Sequence, residues 1–378
     1  MTDRNVIVHV HIFKNAGSSF DSTLLANFKA NFVDHREDHL IKKDKDFLEN
    51  YLKENDNIKA FSSHSVYHKP KDFDDVRLHS VYFLRHPIER IRSVYSFEKK
   101  QPTEDSSGAK MAKELDFKEY VAWRMQDDAP ATIRNLQTIF IAGDGQQGHA
   151  NKIFELALEN LNASPLLGIV DRYDESMIVF EEHLRQFFPK IDLSYIRRNV
   201  TDTDIQASIE EKVKKIFQQL GEPLQELVRQ KNEFDLELYK KTNSLLDEKI
   251  DRIQNFEKKL VNFKERCKVK QLRLLVKQKK YEKVVELSEE LLNEGIKNIN
   301  IYLIYAESLQ KLKLYEKAIV TYENIILKYP VNPWAYFYQA EVYFLAGDTK
   351  ESKRLFGSCR IKFVDNEKVM NIFKEYME

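Results

Sequence analysis

The feature that most restricts the fold is a repetition near the C-terminus. Tyr281-Glu282-Lys283-Val284 returns as Tyr315-Glu316-Lys317-Ala318, an offset of 34 residues. Ala306 returns as Ala340 at the same offset, and Ala318 as Ser352. Pro330 closes the central unit and Pro333 opens the next. A period of this length accommodates two short helices and a turn, and small residues recurring at one phase let paired helices approach. Units of this kind cannot bury an apolar face singly, so the pattern predicts a stack of helix pairs.

The repeated segment, residues 271–363, resembles the tetratricopeptide repeat. The whole chain has 378 residues, more than one core normally serves, since single cores stop growing near about 250–300 residues. Upstream of the repeats the pattern is different. Residues 5–12, 58–63, 79–84 and 166–170 are short apolar, β-branched runs, and helical stretches follow them at 20–32, after Pro87, and at 174–188. Alternation of this kind predicts an α/β fold, a P-loop-like parallel sheet flanked by helices. Residues 99–148 are polar and helix-leaning, an insertion over the sheet. From about Ile205 the strand signals disappear, and residues 245–270 read as one long linking helix. The expected organisation is an α/β domain at 1–244, a helical linker at 245–270 and an all-α repeat domain at 271–378.

Lys+Arg and Asp+Glu each number 60, so the net charge is zero. That removes the electrostatic reason for nucleic acid or an anionic membrane as the main partner. The two cysteines, Cys267 and Cys359, have neither disulfide-framework nor metal-ligand spacing and read as free thiols in a reducing compartment. No apolar run reaches bilayer-spanning length. The first ten residues lack a signal-peptide pattern, so a cytoplasmic location is expected.

Chemistry is concentrated at two strand-to-helix junctions. The first reads His11-Ile12-Phe13-Lys14-Asn15-Ala16-Gly17-Ser18-Ser19-Phe20. Loop amides and a helix N-terminus there form a cradle for a phosphate or sulfate. Gly17 allows close backbone approach, Ser18 and Ser19 add hydroxyls, and Lys14 adds a point charge. A Walker loop is absent. The second junction, Phe83-Leu84-Arg85-His86-Pro87-Ile88-Glu89-Arg90-Ile91-Arg92-Ser93-Val94-Tyr95, again places a cation and a hydroxyl together. Arg85 and Ser93 suit a single phosphate, held by the forked guanidinium.

Together these segments resemble the sulfotransferases that use 3′-phosphoadenosine-5′-phosphosulfate (PAPS), especially the branch of heparan-sulfate 2-O-sulfotransferase. His11, Lys14, Ala16, Gly17, Ser18 and Ser19 match the family's loop for the 5′-phosphosulfate, with Phe13 and Asn15 in place of proline and threonine. Arg85, Pro87, Arg90, Ser93 and Tyr95 match the motif for the 3′-phosphate. Asn135-Leu136-Gln137-Thr138, residues 168–176 and residues 235–239 echo the family more weakly.

The resemblance implies PAPS as sulfuryl donor, bound by Lys14, Asn15, Ala16, Gly17, Ser18, Ser19, Arg85 and Ser93. Lys14 would neutralise the leaving oxygen and His64, after the second strand, would be the base, with Ser63 where the family usually has glycine. His68 is the alternative base; His86 would orient its turn, and His9 suits a buried structural position. Arg197 and Arg198 either contact the nucleotide or an anionic acceptor, or form a surface basic pair. No metal-ligand cluster stands out, which agrees with metal-free transfer. The implied acceptor is a glycan hydroxyl, in the setting of a bacterial capsule or cell-surface precursor. The repeats would bind a protein or glycan, mediate self-association, or buttress the catalytic domain. Two rival readings, an ATP-dependent P-loop kinase and a non-catalytic repeat scaffold, predict respectively a Walker lysine and loss of Lys14 or Arg85.

Overall fold

A computed structural model describes residues 4–36, 41, 44–66, 69–103, 105–143, 149–196, 207–367 and 370–371. The chain divides into two compact units, Met1–Phe263 and Lys264–Glu378.

The first unit is built on five parallel strands, β1 (Arg4–Val10), β2 (Phe32–Asp34), β3 (Ala60–Ser63), β4 (Val76–Leu84) and β5 (Leu166–Ile169), in the order β2-β3-β1-β4-β5. Val6, Ile7 and Val8 of β1 are all fully buried. Consecutive buried apolar residues mean that both sheet faces are covered, as parallel sheets require. The flanking helices of this unit are α1 (Gly17–Phe28), α2 (Phe47–Glu54), α3 (Pro87–Lys99), α4 (Ser107–Glu114), α5 (Phe117–Arg124), α6 (Leu136–Ala142), α7 (Ala150–Ala163), α8 (Tyr173–Leu184), α9 (Ile209–Leu220), α10 (Glu222–Gln230) and α11 (Glu233–Asp251).

The helix expected to run to residue 32 stops at Phe28. Lys29 adopts φ 52°, which breaks the helical path, and the chain turns into the edge strand β2. Asn27 and Asn31 pin this turn by donating to the carbonyls of Asp192 at 2.9 Å and Asn57 at 2.6 Å. Among its described residues the expected 99–148 insertion carries the helices α4, α5 and α6. Its α4 and α5 pack on α3 through Tyr95, Ala112, Tyr120 and Val121, with Ile216 and Phe217 of α9 completing the cluster. Within it, buried Arg124 donates to Glu98 at 2.6 and 2.8 Å. A Cβ on Gly108 would lie 2.1 Å from that guanidinium, so glycine gives the ion pair its space.

The single linking helix expected over 245–270 is two helices. α11 ends at Asp251, and α12 (Phe256–Lys277) begins after Asn255, which takes φ 55° and accepts from the Lys259 amide at 3.1 Å. Asparagine tolerates the left-handed region better than most side chains, and one such residue is enough to end the helical run.

The second unit carries α13 (Tyr281–Asn293), α14 (Ile299–Lys311), α15 (Tyr315–Lys328), α16 (Pro333–Leu345) and α17 (Thr349–Lys362). Helix starts at 281, 315 and 349, and at 299 and 333, keep the sequence offset. The turn residues keep it too: Lys279, Lys313 and Gly347 all have positive φ, at 57°, 61° and 92°. Ala306, Ala318 and Ala340 are fully buried, and the hydroxyl of Ser352 donates to the Ala340 carbonyl at 2.8 Å. The unit is an all-α tetratricopeptide-like domain. Neither Cys267 nor Cys359 is part of a disulfide among the described residues. Among the described residues no helix is long and apolar enough to cross a membrane.

Candidate functional site

Strands β1, β3 and β4 end at Val10, Ser63 and Leu84, so Lys14, His64 and Arg85 all emerge at the carboxyl edge of the sheet. In open α/β folds this edge is where ligand sites form.

The loop after β1 contains two non-glycine residues in the left-handed region, Lys14 at φ 65° and Ala16 at φ 59°. Ala16 is the N-cap of α1 and supplies no side-chain cap. The amides of Ala16, Gly17 and Ser18 donate to no acceptor among the described residues. Uncapped amides at a helix start carry partial positive charge and attract an anion. A Cβ on Gly17 would stand 2.1 Å from the His11 ring, so glycine at this position admits the imidazole beneath the helix. Ser18 is exposed and Ser19 half-buried beside this helix start.

Asn15 faces inward. It is 1% exposed and donates to the Phe83 carbonyl at 2.6 Å and to Gln137 Oε1 at 2.7 Å. Its side chain therefore ties the loop to β4. The Lys14 ammonium lies 4.5 Å from the Phe97 ring centre, and burial, with Arg85 and Lys100 adding repulsion, lowers its pKa.

Arg85 joins the two segments. Its Nη1 donates to Ser93 Oγ at 2.8 Å and to the Lys14 carbonyl at 3.2 Å. Nε and Nη2 both donate to the carboxylate of Glu89, in the first turn of α3. Gln137 completes the junction, since its Oε1 accepts from both the Asn15 side chain and the Arg85 amide, at 2.7 and 2.9 Å. Asp235, fully buried, holds this turn by accepting from the amide and hydroxyl of Thr138 at 2.8 and 2.7 Å. Asn135 accepts in return from the Asp235 amide at 3.0 Å.

His64 Nδ1 lies 2.9 Å from the His11 carbonyl. A carbonyl only accepts, so Nδ1 carries the proton and Nε2 keeps a free lone pair. Burial, then repulsion from His11 and Arg36, pushes the His64 pKa down to about 4, leaving the ring neutral near pH 7. The His11 ring supports it, with centroids 3.8 Å apart.

Behind that pair, the Asp21 carboxylate lies 2.7 Å from His9 Nδ1 and 2.9 Å from His11 Nδ1. Burial acts to raise the Asp21 pKa, but His9 and His11 overcome it and hold the group well below the carboxylate range. These three are also the one set among the described residues with metal-ligand types gathered together. The 2.7 Å contact from His9 to Asp21 is a hydrogen bond, while His11 Nδ1 and Asp21 Oδ2, 2.9 Å apart, pair by charge without hydrogen-bond geometry. Bonds of ~2.0–2.2 Å to a tetrahedral ion would hold the ligand atoms farther apart, at roughly 3.3 Å.

His86 is the N-cap of α3 and meets the edge of Tyr239, ring centres 5.0 Å apart. Burial depresses its pKa to about 4. Arg90 is buried and donates to the Phe13 carbonyl at 3.2 Å, a second tie between the two segments. A cleft of about 960 Å³ opens beside His86, lined by Asp171, Lys212, Arg229 and Tyr239 among others; Lys14, His64 and Arg85 do not line it. His68 and the Arg197-Arg198-Asn199-Val200-Thr201 cluster lie outside the described residues.

Sequence reasoning missed Glu89, Asp21 and the bridging role of Gln137. Glu89 follows Arg85 by four residues across the start of α3, and His9 and His11 sit two apart at the end of the strand-like run 5–12. Both signals were present in the sequence.

The tetratricopeptide repeat model matches residues 301–330. An uncharacterized protein of Archaeoglobus fulgidus is 33% identical over 262 residues, covering 65% of this chain and 99% of its own. The solved TPR2AB-domain:pHSP90-complex of yeast Sti1 overlaps 75% of this chain and 96% of its own at 16% identity, with a TM-score of 0.26, too low to bear on the fold. The sulfotransferase family model spans residues 1–242, taking in the whole sheet and both strand-to-helix junctions. With most of the chain so matched, this protein belongs to the sulfotransferase family.

Proposed function

We propose that the chain transfers a sulfuryl group from PAPS to a hydroxyl of a glycan. The observation that carries this reading is the Arg85 junction, in which one guanidinium contacts both Ser93 and the Lys14 carbonyl. A donor with a phosphosulfate at one end and a phosphate at the other needs two anion sites at a fixed separation. Two cross-linked junctions on one sheet edge meet that need.

In this reading the amides of Ala16, Gly17 and Ser18, the Ser18 and Ser19 hydroxyls and the Lys14 ammonium hold the 5′ end. Arg85 and Ser93 hold the 3′-phosphate, and Asn15 contributes by anchoring the loop. PAPS, when bound, supplies an activated sulfuryl group whose leaving group is already a phosphate. Lys14 and the helix amides stabilise the charge that develops on the departing oxygen. His64 Nε2 accepts the proton of the attacking hydroxyl as the acceptor oxygen–sulfur bond forms and the bond to the bridging oxygen breaks. The tautomer held by the His11 carbonyl suits that role. The cleft beside His86 has ample room for a nucleoside.

The repeats supply a surface for a protein partner, self-association or acceptor selection, and a bacterial cytoplasmic setting accords with the reading. Calorimetry with adenosine 3′,5′-bisphosphate against ATP tests donor class. Tight bisphosphate binding that disappears in Arg85→Ala is expected, and preference for ATP overturns the assignment. Labelled donor offered to saccharide, lipid and phenol acceptors tests the other substrate; transfer confined to the last two sinks the glycan proposal.

A further inference from the structure

The guanidinium assigned above to the 3′-phosphate is already engaged. Arg85 has five N–H donors. Two on Nη1 go to Ser93 Oγ and the Lys14 carbonyl, while Nε and one N–H of Nη2 go to Glu89. One Nη2 donor remains. The pair is largely enclosed, with side-chain exposures of 19% for Arg85 and 15% for Glu89. A planar carboxylate held by two parallel donors presents the same geometry and charge sign as two oxygens of a phosphate.

The position of Glu89 is enforced. It stands in the first turn of α3, whose start is fixed by Pro87, four residues after Arg85, which precedes the helix. Buried neighbours Ile88, Arg90 and Ile91 set the phase of the helix. Asp171, whose carboxyl is raised by burial and by repulsion from Glu89, adds negative charge on the same side. A phosphate approaching Arg85 therefore meets a neutralised guanidinium and two carboxylates, although Ser93 and the remaining donor stay favourable.

We infer that Glu89 is a built-in counter-ion of the 3′-phosphate site: it occupies the Arg85 fork in the empty protein, competes with the incoming phosphate, and limits how tightly the bisphosphate product is held. The inference rests on the donor reading above. It adds a specific function for the carboxylate, namely keeping the desulfated nucleotide releasable. While the site is empty, Glu89 also keeps the arginine extended toward Ser93, ready for use.

Calorimetric titration of wild type and Glu89→Gln with adenosine 3′,5′-bisphosphate and with AMP tests this. Glutamine preserves size and one acceptor oxygen but removes the charge. Bisphosphate is expected to bind Glu89→Gln about tenfold more tightly, while AMP, which lacks the 3′-phosphate, changes less than twofold. Glu89→Asp retains the charge one methylene farther away and falls between the two proteins. With saturating donor and acceptor, slower bisphosphate release from Glu89→Gln appears as a larger pre-steady-state burst. Unchanged or weaker bisphosphate binding in both variants overturns the inference, as does an equal gain for AMP. Failure of wild type to bind the bisphosphate at all is a different outcome, and it removes the donor reading itself.

Discussion

Lys14, Gly17 and His64 divide the candidate chemistry between them, and each has a separate expected signature. Lys14→Ala should lower kcat by about 10²–10³-fold, the size typical of losing a preorganised charge at the leaving atom. Steady-state kinetics alongside bisphosphate calorimetry separates this loss from weakened binding. His64→Ala should cost about 10²–10⁴-fold. Because burial and His11 hold the wild-type imidazole near pKa 4 rather than 6.5, kcat/KM should stay flat as pH falls from 7 and decline only as pH approaches about 4. A decline centred near 6.5 would mean another group is the base. Gly17→Ala forces its new methyl into the His11 ring, so donor binding should collapse, and adding His11→Ala should restore part of it. At this scale the sequence was most informative about placement, bringing Arg85 and Ser93 to one junction where they lie 2.8 Å apart. It was least informative for Asn15, whose side chain turns away from the cradle because Gln137 and the Phe83 carbonyl, both remote in sequence, offer it partners.

Among elements, the junction between α6 and α11 carries the most consequence. Asp235 satisfies the amides at the start of α6, and that turn presents Gln137 to Asn15 and Arg85 of the two junctions. Asp235→Ala strands several buried donors and should cost about 3 kcal/mol of unfolding free energy, measurable by urea denaturation. It should also weaken bisphosphate binding, although Asp235 lies behind the site. In the repeat unit, Ala306→Leu inserts bulk at a fully buried helix contact and should cost about 1–3 kcal/mol. Strand positions and repeat phase were legible because hydrophobic periodicity and the offset of 34 are local. The edge strand β2 was not, since only three residues pair with β3 and the helix before it ends through the conformation of Lys29. The division of the expected linker into α11 and α12 likewise depends on one backbone angle at Asn255.

At the level of the whole molecule, pH should act on stability through buried imidazoles. His64, His79 and His86 are each depressed to about 4 by burial, against 6.5 for an unfolded chain. Between those values the unfolded state binds protons that the folded state refuses, so stability falls as pH drops from about 6.5 toward 4 and is fully retained above it. Urea midpoints at pH 7.5, 6 and 5 should decrease in that order; a constant midpoint contradicts these shifts. The cross-link through Gln137 has a further thermodynamic consequence. Since the cradle is fastened to β4 before any nucleotide arrives, capture does not require a coil to condense around the ligand. The heat-capacity change of binding should therefore be small, scaling with the nucleotide surface that is covered, and should become markedly more negative in Gln137→Ala, where the loop must order as it binds.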